Sequence, residues 1–267
     1  KIVQVLTRAN SLSYAPYTQS ISSRSLTKIL KCIKMKGGAM KFKVFLVFVF
    51  FVCCLLPGIS LAQDKVVVIP LWSGSGNEIP TVTSAGQVWM DRNLGAVRVA
   101  QSADDWAAYG WLYQWGRLAD GHEIRFSPTT ATLSSDDDPG HSNFIKSISP
   151  PFDWRSPQND NLWQGESGVN NPCPAGFRVP TETEWATERA SWSSDDPAGA
   201  FASPLKLVAA GISGFGDGAV YYAGSRGYYW SSTVDGSQTR ILYFYSGVAD
   251  MKGEHRAYGF SVRCIKN

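Results

Sequence analysis

The sequence predicts an α+β domain made of small antiparallel sheets, with two short helices and long ordered loops. Three observations carry this: β-branched and alternating segments come first, helix-start signals stand in the middle, and strand-like segments between Gly-rich or polar turns fill the last third. The ten Trp, spread from Trp72 to Trp230, point the same way. A domain short of long regular elements fills its core with large rings.

Residues 1–62 carry nine Lys or Arg and no Asp or Glu. Met40-Lys-Phe-Lys opens a positive n-region, residues 44–56 form an unbroken apolar run, and Ser60 and Ala62 are small residues at positions a signal peptidase reads. A secretory signal peptide is expected over 40–62, cut near Ala62/Gln63, which makes the protein secreted or cell-surface. The apolar run of about 13 residues falls short of the roughly 20 that span a bilayer, so no stable membrane span is expected after cleavage. Neither Cys53 nor Cys54 follows the small residue that lipid attachment requires. Residues 1–39 read as leader sequence upstream of a true start at Met40, with Met35 as a second candidate. Residues 63–85 read as an N-terminal strand and linker segment, and 86–267 as the domain.

Beyond residue 62 the chain holds 16 basic and 22 acidic residues, a net charge near −6. A phosphate-binding surface needs a basic excess, so no nucleic-acid partner is expected. Cys32, Cys53 and Cys54 fall in the part expected to be removed, which leaves Cys173 and Cys264 in an oxidising compartment. A bridge between them is expected, closing a loop of about 90 residues worth on the order of 4 kcal/mol in loop-closure entropy.

Residues 65–71 (KVVVIPL) and 87–92 (QVWMDR) read as strands. Ser102 and Asp105 stand at capping-box spacing ahead of Trp106-Ala-Ala, which predicts a first short helix ended by Gly110. Trp111, Tyr113 and Trp115 alternate with Leu112 and Gln114, as in a strand with one aromatic face. Residues 126–171 are rich in Ser, Pro, Asp and Asn and read as a long ordered loop pinned by Phe144, Phe152, Trp154 and Trp163. In Pro180-Thr-Glu-Thr-Glu184-Trp185, Thr181 and Glu184 form a capping box, so a second helix is expected over 182–192. Segments 205–209, 227–232, 240–245 and 259–265 read as strands.

Signatures of catalysis are missing from the sequence. Gly211-Ile-Ser-Gly-Phe lacks the last glycine of a nucleophile elbow, and His122, His141 and His255 stand apart, without zinc-site spacing, as surface or loop side chains. Asp136-Asp-Asp138 and Asp195-Asp196 read as solvated loops rather than calcium ligands, and Gly214-Phe-Gly-Asp-Gly218 as a turn. No catalytic residue, metal or cofactor is assigned.

Five ordered motifs carry a family resemblance: Gly86-Gln-Val-Trp-Met-Asp-Arg-Asn-Leu-Gly95, Tyr109-Gly-Trp-Leu-Tyr-Gln-Trp-Gly-Arg117, Pro172-Cys-Pro-Ala-Gly-Phe-Arg-Val-Pro-Thr181 with Glu184-Trp185, Tyr229-Trp-Ser-Ser232, and Tyr258-Gly-Phe-Ser-Val-Arg-Cys264. Together they resemble the Fibrobacter succinogenes major paralogous domain, a bacterial exported domain related to the C-type lectin-like fold. The resemblance implies a C-type lectin-like domain over 86–267, a Cys173–Cys264 bridge, and a ligand surface on the last strands and their loops. The E-P-N, Q-P-D and W-N-D signatures of the lectin sugar site are missing. The fold's relatives include the formylglycine-generating oxidase, whose chemistry needs a reactive cysteine pair, whereas both cysteines here are assigned to the bridge. Some similar domains are variable proteins rewritten at adenines by diversity-generating retroelements. Residues 226–258 look like such a segment, with a frame of Trp230-Ser-Ser, Leu242, Phe244 and Gly259-Phe-Ser-Val.

The ligand-binding residues expected are Tyr222, Arg226, Tyr228, Gln238, Arg240, Tyr243, Tyr245, His255 and Tyr258, because Tyr and Arg give large amphipathic contact at modest entropy cost. If Leu242 and Phe244 face inward along a strand, Tyr243 and Tyr245 face outward. The expected function is an exported ligand-binding module, not an enzyme, whose partner is an unknown extracellular protein or glycan. The alternative is a structural or tip subunit of a cell-surface assembly.

Overall fold

The computed structural model describes residues 78–267. The leader, the signal peptide and the strand expected at 65–71 lie outside the described residues. Ala85 and Gly86, both left-handed, turn strand β1 (Thr81–Ser84) onto β2 (Gln87–Met90), with Ser84 opposite Gln87. This hairpin starts in the segment read as linker. Short pieces follow: β3 (Tyr113–Gln114), β4 (Thr129–Thr130), β5 (Phe144–Ile145) and β6 (Phe177–Arg178). Helices α1 (Glu182–Ala190) and α2 (Pro197–Ala202) come next, then β7 (Ile212–Ser213) and β8 (Val220–Tyr221). The chain ends in a meander of β9 (Gly227–Asp235), β10 (Gln238–Tyr245) and β11 (Val248–His255), followed by β12 (Gly259–Phe260) and β13 (Ile265–Lys266).

The strands form a β1-β2-β13-β6 sheet, a β3-β12-β7-β8 sheet, the β9–β11 meander in the order β11-β10-β9, and a parallel β4–β5 pair. This is an α+β fold of small, mostly antiparallel sheets, as the sequence predicts. Cys173 and Cys264 are bonded, tying the start of β13 to the turn before β6. Among the described residues no helix is long and apolar enough to cross a membrane.

The capping box of α1 forms as read: Thr181 Oγ1 accepts from Glu184 N, and Glu184 Oε2 accepts from Thr181 N at 2.8 Å. Arg178 forks onto the same carboxylate at 2.6 and 2.8 Å. Elsewhere the expectations need correction. The first short helix is one turn of 3-10 type, Trp106–Ala108, and its cap is Asp105, which accepts from Ala107 N at 3.2 Å, while Ser102 bonds Asp104 instead of capping. Helix α2 goes unread in the sequence although Asp196 caps it and Pro197 opens it. Segment 205–209 is buried but irregular, because its backbone bonds go to a side chain and to loops: Val208 N and O both bond the Tyr229 hydroxyl at 2.9 Å, and Ala209 N bonds Ala103 O. Strand β11 is also unread. Asp250, Lys252, Gly253 and Glu254 give it weak strand propensity and the charge that suits a sheet edge.

Six tryptophans are fully buried: Trp89, Trp115, Trp154, Trp163, Trp185 and Trp230. Each indole N–H donates to a main-chain carbonyl, from Trp230 to Tyr113 O at 2.6 Å, Trp185 to Trp230 O at 3.0 Å and Trp154 to Trp115 O at 2.6 Å, among others. Strands of two residues leave many carbonyls without ladder partners, and a buried carbonyl left unpaired costs about 1–3 kcal/mol. The indoles satisfy such carbonyls in and just after β3, at Tyr113, Trp115 and Arg117, and reach others in β1 and β9 while filling the core. Arg263 does the same at the β2–β13 junction. Buried and drawn down by that burial to about 10, it donates to Asn93 Oδ1, Met90 O and Leu205 O.

The meander separates two apolar clusters. Leu242 and Phe244 of β10 pack with Tyr229, Ala249 and Trp185 of α1, while Ile241 packs with Tyr228, Trp230 and Phe260 on the opposite side. Gly227 is needed on the first side, where a Cβ would lie 2.2 Å from Phe244 Cζ in a ring with no room to move.

Candidate functional site

Alternation along β10 turns Tyr243 and Tyr245 away from buried Leu242 and Phe244, and both are half-buried. Cross-strand register sets Tyr243 opposite Tyr228. The rings form a near-parallel row: Tyr245 to Tyr243 at 6.1 Å and 24°, Tyr243 to Tyr228 at 6.5 Å and 20°, Tyr228 to Phe260 at 5.3 Å and 18°, Phe260 to Tyr258 at 5.1 Å and 17°. Beyond Tyr258 lie Phe215, edge-on at 4.7 Å, and His255, whose ring sits 4.5 Å from Phe152. Burial, with Glu254 nearby, pushes the Tyr258 hydroxyl up to about 12.

Two cations lie over this row. Lys252 Nζ is 4.8 Å from the Tyr243 ring centre and 5.7 Å from that of Tyr228, and pairs with Glu254 at 2.6 Å. The Arg226 guanidinium lies 4.1 Å from the Tyr222 ring centre and 5.3 Å from that of Tyr245. A hydrogen bond with Tyr228 raises its pKa further, and among the described residues it has no carboxylate partner. Its position is fixed by backbone. Tyr222 holds a left-handed φ of 60°, while Ser225 N, Ser225 Oγ and Arg226 N all donate to the Tyr222 carbonyl at 3.0–3.1 Å. A bulky residue in that conformation costs on the order of 1 kcal/mol, and such outliers concentrate at functional sites.

Of the nine residues expected from the sequence, seven meet in this array: Tyr222, Arg226, Tyr228, Tyr243, Tyr245, His255 and Tyr258. Arg240 does not. Its Nε donates to Glu182 Oε1 of α1 at 2.8 Å and its Nη1 lies 3.5 Å from Asp235. Gln238 lies over Gly253, away from the tyrosines. Parity foretells both placements, since 238 and 240 share the register of Leu242 and Phe244 rather than that of Tyr243 and Tyr245. Tyr228 is more enclosed than the expectation, at 7% exposure. Lys252 escaped sequence reading because β11 did, and Phe215 because it sits in the turn between β7 and β8.

A second cluster lies beneath β3. Asp120, His122 and Glu123 hold their ligand-type atoms within 4.8 Å of one another. The sequence reading of His122 as a surface or loop side chain is corrected: it is 1% exposed. Gln114 N donates to its Nε2 at 3.0 Å, so the proton sits on Nδ1, which donates to Asp120 Oδ1 at 2.7 Å. Arg117 Nη2 holds the other Asp120 oxygen at 2.5 Å. Both ring nitrogens and both Asp120 oxygens are thus engaged within the protein, as a buried hydrogen-bond hub.

Burial draws His122 down from 6.5 to about 4 and pushes Glu123 up from 4.5 to about 7. Between about pH 4.5 and 6.5 the unfolded chain binds one more proton than the folded protein at His122 and one fewer at Glu123, so the two slopes cancel. Glu123→Gln removes the second slope. Its unfolding free energy, measured by urea titration, is expected to rise with pH across that window by up to about 1.4 kcal/mol per unit, against a nearly level wild type. A level profile in the variant would refute the opposed titrations.

A family model described as a domain of unknown function, DUF8237, matches residues 203–265. The match takes in β7 to β12 and the first residue of β13, hence Tyr222, Arg226 and the whole ring row. No curated protein and no solved structure matches the chain.

Proposed function

We propose that this protein is an exported, non-catalytic binding module of C-type lectin-like architecture, which recognises an extracellular protein or glycan through the face built on β9–β11. The observation that carries the reading is the row of rings from half-buried Tyr245 and Tyr243 through buried Tyr228 and Phe260 to Tyr258, with Arg226 against Tyr245. Tyr and Arg dominate recognition surfaces because they combine apolar area, hydrogen-bonding tips and few rotors. The Cys173–Cys264 bridge suits an oxidising compartment and so supports export, together with the signal-peptide pattern at 40–62. If the resemblance extends to retroelement-diversified domains, residues 226–258, which hold most of the row, are the segment whose side chains would exchange; without a retroelement they form a face of fixed specificity.

The test is a Tyr243→Ala/Tyr245→Ala double variant, screened beside wild type on arrays of defined glycans and purified cell-surface proteins. The bound ligand's affinity is expected to fall at least tenfold while the unfolding midpoint moves little. Full affinity in the double variant would remove the site from this face.

A further inference from the structure

We infer that the ligand is an acidic glycan, with the carboxylate of a uronic-acid-type sugar paired to Arg226 and its pyranose ring lying against Tyr222, Tyr243 and Tyr245. The inference rests on the binding reading above and deepens it. Among the described residues Arg226 has no carboxylate partner, whereas Lys252 is paired with Glu254. Its fork is held in place twice over, by the Tyr222 and Tyr245 rings and by the strained turn at Tyr222. A planar, pre-organised guanidinium beside aromatic rings fits a carboxylate in two-point contact, the geometry in which Arg differs most from Lys.

The surface around it favours sugar over protein. Protein hot spots are Trp, Tyr and Arg side chains seated in well-packed, desolvated pockets. Here the large exposed side chains next to Arg226 are Tyr221 and Tyr222, and two concave clefts among the described residues lie elsewhere, beside Asn170 and Cys173 and beside Leu133 and Ile148. The Tyr221 hydroxyl donates to Asp217, whereas the phenols of Tyr222, Tyr243 and Tyr245 offer a sugar what it needs: a flat apolar face for its C–H edge and hydrogen-bonding groups for its own hydroxyls. A polyphosphate suits the site poorly, since one unpaired cation on an acidic domain gives little counterion release.

Calorimetry with oligomers of galacturonate, glucuronate and mannuronate, each beside its carboxyl-reduced neutral counterpart, tests this on the protein from residue 63 onward. Wild type is expected to bind at least one acidic oligomer ten times or more tightly than its neutral counterpart. Arg226→Gln should erase that discrimination, Arg226→Lys should restore only part of it, and Tyr243→Ala/Tyr245→Ala should weaken both forms. An unchanged unfolding midpoint in Arg226→Gln controls for folding. Equal affinity for acidic and neutral oligomers, discrimination that survives in Arg226→Gln, or no binding to any of them overturns the inference. The first of these, with affinity still dependent on Tyr243 and Tyr245, retains the broader binding reading. Binding of an acidic protein in place of every glycan, abolished in Arg226→Gln, retains the face and overturns the sugar.

Discussion

Trp230→Ala is expected to lower the unfolding free energy by about 4–8 kcal/mol, close to the whole stability of many domains. Trp230 is fully buried on the side of the meander that carries the ring row, with its ring 4.4 Å from that of Phe260. Truncation opens a large cavity among Tyr113, Ile241 and Phe260, and it also strands the Tyr113 carbonyl that accepts the indole N–H at 2.6 Å. Large-to-small losses of this kind cost about 3–5 kcal/mol, and the orphaned carbonyl adds about 1–3. Trp230→Phe keeps most of the volume and loses the bond, so it should fall between the two. Urea unfolding followed by circular dichroism measures all three; a loss below about 2 kcal/mol in the Ala variant would mean the site collapses and the indole bond matters little.

Replacing Cys173 and Cys264 together by Ser is expected to cost about 4 kcal/mol. The bridge spans 91 residues, and a loop of that size in the unfolded chain carries a closure entropy near that value. A local effect adds to it. Ile265 of β13 pairs with both Trp89 of β2 and Arg178 of β6, so a two-residue strand held at its start by Cys264 completes a four-stranded sheet. Reduction of the wild type should reproduce the loss seen in the double variant. Stability unaffected by either change would show that residual structure in the unfolded chain already holds the two segments together.

Features encoded locally were legible in the sequence. The Thr181–Glu184 box and the parity of Leu242 and Phe244 against Tyr243 and Tyr245 each depend on residues at fixed spacing, and each stands where expected; the Cys173–Cys264 pair, 91 residues apart, was legible because these are the two cysteines beyond residue 62. Features decided by distant partners were not. Segment 205–209 has the composition of a strand, yet the Tyr229 hydroxyl takes the bonds a neighbouring strand would have made. Ser102 has the spacing of a cap, yet Asp105 is drawn into that role, held also by Arg98 and by Gln101 N. The polar strand β11 exists because β10 offers it a full ladder, from Gln238 opposite His255 to Tyr245 opposite Val248. The ring row was half legible for the same reason: its members are plain from residue type, but Phe260 and Lys252 join them through the pairing of strands and Phe215 through the turn between β7 and β8.

Because the last four residues of β10 alternate, with Leu242 and Phe244 buried and Tyr243 and Tyr245 half-buried on the opposite face, its two duties are separable by mutation there. Exchanging Tyr243 or Tyr245 alters what the outer face offers without touching the carbonyls that the indoles hold or the packing of Leu242 and Phe244. Loop lengths and core composition stay the same through such exchanges. A scaffold of this kind can travel through many specificities by single substitutions, each nearly neutral for folding, so that the rate at which new recognition arises is limited by the supply of variants and not by the robustness of the fold.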